Sequence, residues 1–337
     1  MKKRFPRIVK YCLISLYLIF LAGSIVRMTG SGMGCPDWPK CFGYYVPPIS
    51  EGQLLWHPNK DYNKGIVIIK NEKLFVAQKN FKTTFTFDIN NWDTYKKHDY
   101  AKFNVFHTWT EYINRLASVL SGIFFLFLIV GSVKFWRENK LITILSFAGF
   151  FLMLFEAWLG KTVVDSVLNP STITVHMVVG LIIVAILLKL THIVNQNKSI
   201  PKKSSTLFTN VLWVAAIFSL IQIALGTQVR QYVDEQVKLL GFENKQLSLL
   251  APDLNFYFHR SFTIAIILVN AWLFYLNKKL HLGFKKLNWI LVLLGLETIT
   301  GILMYYVDFP IGTQSLHLIF GVFLFSIQFY LVLESKK

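Results

Sequence analysis

Three histidines carry the chemistry this sequence offers. His176, His259 and His317 each lie a few residues inside an apolar stretch, at matching depth. Ionisable side chains at membrane depth are rare and concentrate at functional sites. Two imidazoles on facing helices suit axial ligation of haem iron, because imidazole is a good iron ligand and low-dielectric surroundings shield the porphyrin. His259 and His317 form such a pair. Arg260, next to His259, is placed to neutralise a propionate at the water-facing edge. A lone histidine of this kind reads better as a core residue bonded to neighbours; a pair tied to an internal repeat reads better as ligands.

The repeat is explicit. FEAWLGKTVVDSVLNPSTITVHMVVG (155–180) aligns with LETITGILMYYVDFPIGTQSLHLIFG (296–321), pairing Glu156 with Glu297, Gly160 with Gly301, Thr172 with Thr313, His176 with His317 and Gly180 with Gly321 at a constant offset of 141. More loosely, Arg27 pairs with Arg230 and Arg115 with Arg260. Such doubling is common among membrane bundles.

The first half supplies His176, but the position matching His259 is Asn114, and an amide is a poor haem ligand. Either the first-half iron is five-coordinate or another residue serves. His107 lies seven residues earlier on the same face, about 10 Å along the helix. It ligates only if the haem sits further out; otherwise it is a solvated interfacial histidine. Glu111, on the same stripe, is either a base or proton relay beside a haem or the partner of Arg115 in an i,i+4 salt bridge. Glu156 and Glu297, a repeated pair, share a structural role. Cys35 and Cys41 flank a Pro-rich turn and are close enough for a small disulfide loop in an oxidising compartment; as a zinc signal the pair is weak. Cys12 lies in an apolar run as an inert thiol. His57, His98, His192 and His281 read as surface residues.

These residues need helices across a bilayer to position them. Of 337 residues, 54% are hydrophobic, 16% charged and 30 are Phe, with mean hydropathy +0.46. That excludes disordered, collagen-like, coiled-coil and disulfide-dense secreted chains. Eight windows are long and apolar enough to span: 11–26, 117–133 (starting earlier, near His107), 141–159, 173–190, 208–226, 257–276, 288–306 and 314–333. The net charge of +17 follows from topology, not nucleic acid. The N-terminus, 134–140, 189–205, 277–286 and the last four residues together carry 18 Lys/Arg, which puts both termini in the cytoplasm. Residues 28–104 are then external, and 1–27, though shaped like a signal peptide, are expected to be retained because they repeat later. The expected architecture is an all-α polytopic membrane protein of eight transmembrane helices, two tandem four-helix bundles (1–205 and 206–337) in parallel internal repeat.

The chain resembles the haem A synthase family (CtaA-like) over nearly its whole length. The likeness rests on the two four-helix halves, RMTGSGMGCPDWPKC (27–41) after the first helix, the E-x-x-x-R frame at Glu111–Arg115, and His176, His259 and His317 at the tops of helices 4, 6 and 8. It departs from the family's helix 2 motif, ExxHR, at Asn114. The resemblance implies a b-type haem between His259 and His317, haem O as substrate in the first half, where the repeat offers His176 as ligand, and oxidation of a porphyrin methyl group to formyl, giving haem A for terminal oxidases. It implies a catalytic Glu111, and a disulfide or an assisting role for Cys35 and Cys41. Haem O synthase and oxidase assembly factors are the implied partners, with the bacterial cytoplasmic membrane as location. The rival readings are a dihaem b-type cytochrome passing electrons to or from quinone, which requires two bis-histidine sites, and a transporter, which requires helices broken near the midplane.

Overall fold

The structure, a computed structural model, describes residues 4–96, 103–166, 168–195, 203 and 205–336. His98 lies outside them. Among the described residues eight helices are long and apolar enough to cross a membrane: α1 (Phe5–Met28), α2 (Val105–Ser132), α3 (Lys140–Asp165), α4 (Pro170–Asn195), α5 (Thr206–Leu240), α6 (Leu254–Lys279), α7 (Leu287–Tyr306) and α8 (Thr313–Ser335). Each overlaps one of the eight windows, so the chain is an all-α polytopic membrane protein. The helical form is forced: with no water in the bilayer, every backbone N–H and C=O must find its partner within the segment.

Boundaries moved outward, most at α5. Its 35 residues span about 52 Å, well beyond the ~30 Å apolar core of a bilayer. The segment 227–240 is too polar for a hydropathy window, yet it has no Pro or Gly until Gly241, which ends the helix at φ 85°.

The chain divides into two compact units, Met1–Ser24 with Ala117–Ala157 and Pro170–Lys337, and Ile25–Leu116 with Trp158–Asn169. In the first, α5, α6, α7 and α8 pack in a cycle, and α4 packs on α5 and α8. One core gathers Phe5, Cys12, Phe125, Leu187 and Val322; another, on α5 to α8, gathers Phe208, Leu273, Phe284 and Leu331. Two starts fix the depth of the histidines. Asp253 caps α6 by accepting from the Phe256 N–H at 3.1 Å, and α8 begins after Gly312, whose φ of 88° favours glycine.

The second unit has elements that the sequence reading left undefined. Strands β1 (Asp61–Tyr62) and β4 (Phe81–Lys82) pair antiparallel, as do β2 (Val67–Lys70), β3 (Lys73–Ala77) and β5 (Trp92–Thr94) in the order β2-β3-β5. Tyr62, Ile68, Ala77 and Trp92 form one small core. Cys35, Cys41, Phe42, Leu54 and Val67 form another.

Candidate active site

In the second unit, the first turns of α2 hold the loop 35–41. Asn104 starts the helix, its side chain accepting from the His107 N–H at 3.2 Å. Cys35 and Cys41 are disulfide-bonded, with Cα atoms 4.8 Å apart. Glu111 is only 4% exposed. Its Oε2 accepts the Cys35 N–H at 2.7 Å, and its Oε1 accepts from Arg115 at 2.5 Å. Arg115 also donates to the carbonyls of Asp37 and Lys40, each at 2.8 Å. Thr108 donates to the Gly34 carbonyl at 2.8 Å. A Cβ on Gly34 would stand 2.4 Å from the His107 carbonyl oxygen, so only glycine lets the loop approach α2 this closely. Asp37 closes the turn, accepting from Phe42 and Gly43 N–H groups at 2.5 and 2.8 Å. Burial raises its carboxyl above the usual range, against the opposing pull of those N–H groups and of Arg115.

The i,i+4 salt bridge of Glu111 with Arg115 is therefore present. It leaves the carboxyl group buried and held at both oxygens, and does not exclude proton handling. His107 is half-buried and its Nδ1 lies 2.9 Å from the Ser31 hydroxyl. Asn114 has a buried side-chain oxygen.

In the first unit, His259 on α6 and His317 on α8 face one another with ring centres 6.1 Å apart. His259 lies against Gly226 of α5, where a Cβ would come within 3.1 Å of its ring. Gln222 of α5 fixes the turn behind it, donating to the His259 carbonyl at 3.0 Å and to Thr263 at 2.8 Å. The Nδ1 of His259 is buried and has no hydrogen-bond partner among the described residues. The Nδ1 of His317 instead sits 2.8 Å from Oε2 of Glu297 and 2.9 Å from the Thr300 hydroxyl. His176 on α4 pairs in the same way with Glu156 on α3. Arg260 is exposed and lies over the rings of Phe256 and Tyr257, 5.8 and 5.5 Å from their centres.

Sequence reasoning grouped Glu156 with Glu297 but did not identify them as the histidines' partners. The signal was available: each glutamate precedes its histidine by 20 residues in both copies. Among the described residues no group of three or more His, Cys, Asp or Glu side chains is arranged to chelate a bare ion. The facing imidazoles thus suit a metal that brings its own equatorial ligands, as haem iron does.

Comparison with known proteins decides the family. The family model described as cytochrome oxidase assembly protein (COX15-CtaA) matches residues 7–87 and 63–329. The chain belongs to that family. Among its relatives, the Heme A synthase of Bacillus cereus (strain AH187) is 22% identical over 342 residues, covering 96% of this chain and 91% of the relative. The Heme A synthase of Ehrlichia canis (strain Jake) is 25% identical over 347 residues, covering 95% and 90%. That of Shewanella oneidensis is 34% identical over a 47-residue stretch, 14% of each chain. The similarity to proteins of that name runs over nearly the full length of the chain.

Proposed function

We propose that the protein is a haem A synthase that oxidises a porphyrin methyl group of haem O to a formyl group. The observation that carries this reading is the pair His259–His317. Two imidazoles that each place a nitrogen about 2 Å from a shared metal have ring centres about 6 Å apart, and the rings stand 6.1 Å apart. Gly226 lets the His259 ring sit close against α5, and Glu297 holds Nδ1 of His317, which leaves Nε2 of that ring to a b-type haem. When bound there, that haem supplies one-electron transfer.

The remaining roles belong to the chain's own residues. With water as the oxygen source, turning a methyl into a formyl group releases four protons and four electrons, the electrons passing to an oxidant outside the chain. Glu111 is the proton-handling group. Its Oε2 faces the Cys35 N–H and its Oε1 faces Arg115, so the carboxylate is held in one orientation and a proton arriving at either oxygen displaces one bond. His176 is the protein ligand to the substrate iron, by its repeat relation to His317. Asn114, in place of a second imidazole, leaves the substrate less firmly held than a retained cofactor. The two repeat halves, 1–205 and 206–337, take these two tasks, with both termini in the cytoplasm of a bacterial cell. Haem O synthase and oxidase assembly factors are the proposed partners.

Co-expression with a haem O synthase in a host without haem A tests the reading. Extracted haem should contain haem A. Unconverted haem O, with two bis-histidine signals in the purified protein, would favour a dihaem cytochrome.

A further inference from the structure

We propose that Glu297 is a positioning residue that fixes His317 in the tautomer presenting Nε2 to haem iron and strengthens that imidazole as an electron donor, with Thr300 tempering the effect. This rests on the haem reading above. Four observations carry it. The Nδ1 of His317 lies 2.8 Å from Oε2 of Glu297, so its N–H points at a carboxylate and Nε2 keeps the free lone pair. The Thr300 hydroxyl donates to the Leu296 carbonyl at 2.8 Å, so its oxygen, 2.9 Å from the same Nδ1, is left to accept and shares the N–H. Glu297 is seated by Gly321 of α8, where a Cβ would stand 3.3 Å from its Oε1. The carboxylate–imidazole pair recurs at Glu156 and His176, where the residue matching Thr300 is Leu159.

Metal-bound histidines commonly donate their second N–H to a carboxylate, which orients the ring and raises its basicity. A more basic axial ligand favours ferric over ferrous iron. His259, whose Nδ1 has no such partner among the described residues, is the weaker donor. The two axial positions of one haem are therefore unequal, and Glu297 sets the difference.

The test is the midpoint potential of the b haem in the purified full-length protein, read by spectroelectrochemistry. Glu297→Gln keeps the shape and removes the charge. It should retain a low-spin spectrum and raise the potential, with Glu297→Asp between it and the parent. Thr300→Val gives the whole N–H to the carboxylate and should lower the potential. A merely structural glutamate would produce neither shift, and an unchanged potential in Glu297→Gln overturns the proposal. If that variant loses haem, Thr300→Val decides: a fall supports the proposal, and an unchanged or raised potential overturns it. A parent protein without a bis-histidine spectrum would instead defeat the haem reading, and this proposal with it.

Discussion

The start of α2 and the start of α6 occupy matching places in the repeat and are used in opposite ways. An offset of 145 relates Glu111 to Phe256, Asn114 to His259 and Arg115 to Arg260. On α2 the arginine is half-buried beside the glutamate and grips two carbonyls of the disulfide loop. On α6 the arginine is exposed, the glutamate's place is taken by Phe256 stacked on Tyr305, and the residue between them is an imidazole facing His317. A buried carboxylate is costly unless it is paired and hydrogen-bonded. On α2 the cost is met by Arg115 and the Cys35 N–H. The second copy carries no such carboxylate and keeps an imidazole. On the proposed function, the contrast separates a half fitted for chemistry from a half fitted for holding a cofactor.

Removing the α2 carboxylate should have the largest effect. Glu111→Gln should cut haem A formation by about 10²–10⁴-fold, the usual worth of a general acid–base group, while the b-haem spectrum stays as in the parent. Full haem A production by this variant would remove the catalytic role and the contrast with it.

Next come the arginines. Arg115→Met leaves Glu111 buried without its cation and frees two loop carbonyls. Breaking a buried pair in this way costs about 3–5 kcal/mol, seen as a lower melting temperature in detergent and faster reduction of the Cys35–Cys41 disulfide. Asp37→Asn keeps one acceptor oxygen for two N–H groups and should cost about 1–3 kcal/mol in the same melt. Arg260→Met should cost least, about 0.5–1 kcal/mol, the worth of an exposed cation–π contact. Equal losses from Arg115→Met and Arg260→Met would show that the two positions are not used differently.

Much of this could be read before the fold was known. Apolar length located all eight helices, since bilayer thickness sets how long a span must be. Polarity hid the outer end of α5, whose helix continues past Arg230 and its ion pair with Asp234 because nothing before Gly241 breaks it. The strands β1 to β5 are two to five residues long, too short to show a period of two. The histidine pair was found because ionisable groups stand out in apolar surroundings. The partners of His317 were harder: Glu297 sits on another helix, and Thr300 gives no sequence cue. The clamp of Arg115 on Asp37 and Lys40 runs through backbone carbonyls, which no side-chain pattern reports. Only the disulfide of Cys35 and Cys41 was anticipated in that loop.

The most direct test is the reduced-minus-oxidised absorption spectrum of two variants, His259→Ala and His317→Ala, each purified as the full chain. Each should lose the low-spin b-haem signal while remaining folded, because on the proposed function the two imidazoles 6.1 Å apart hold one iron between them. An unchanged low-spin spectrum in both variants would contradict the assignment of this pair as the cofactor site.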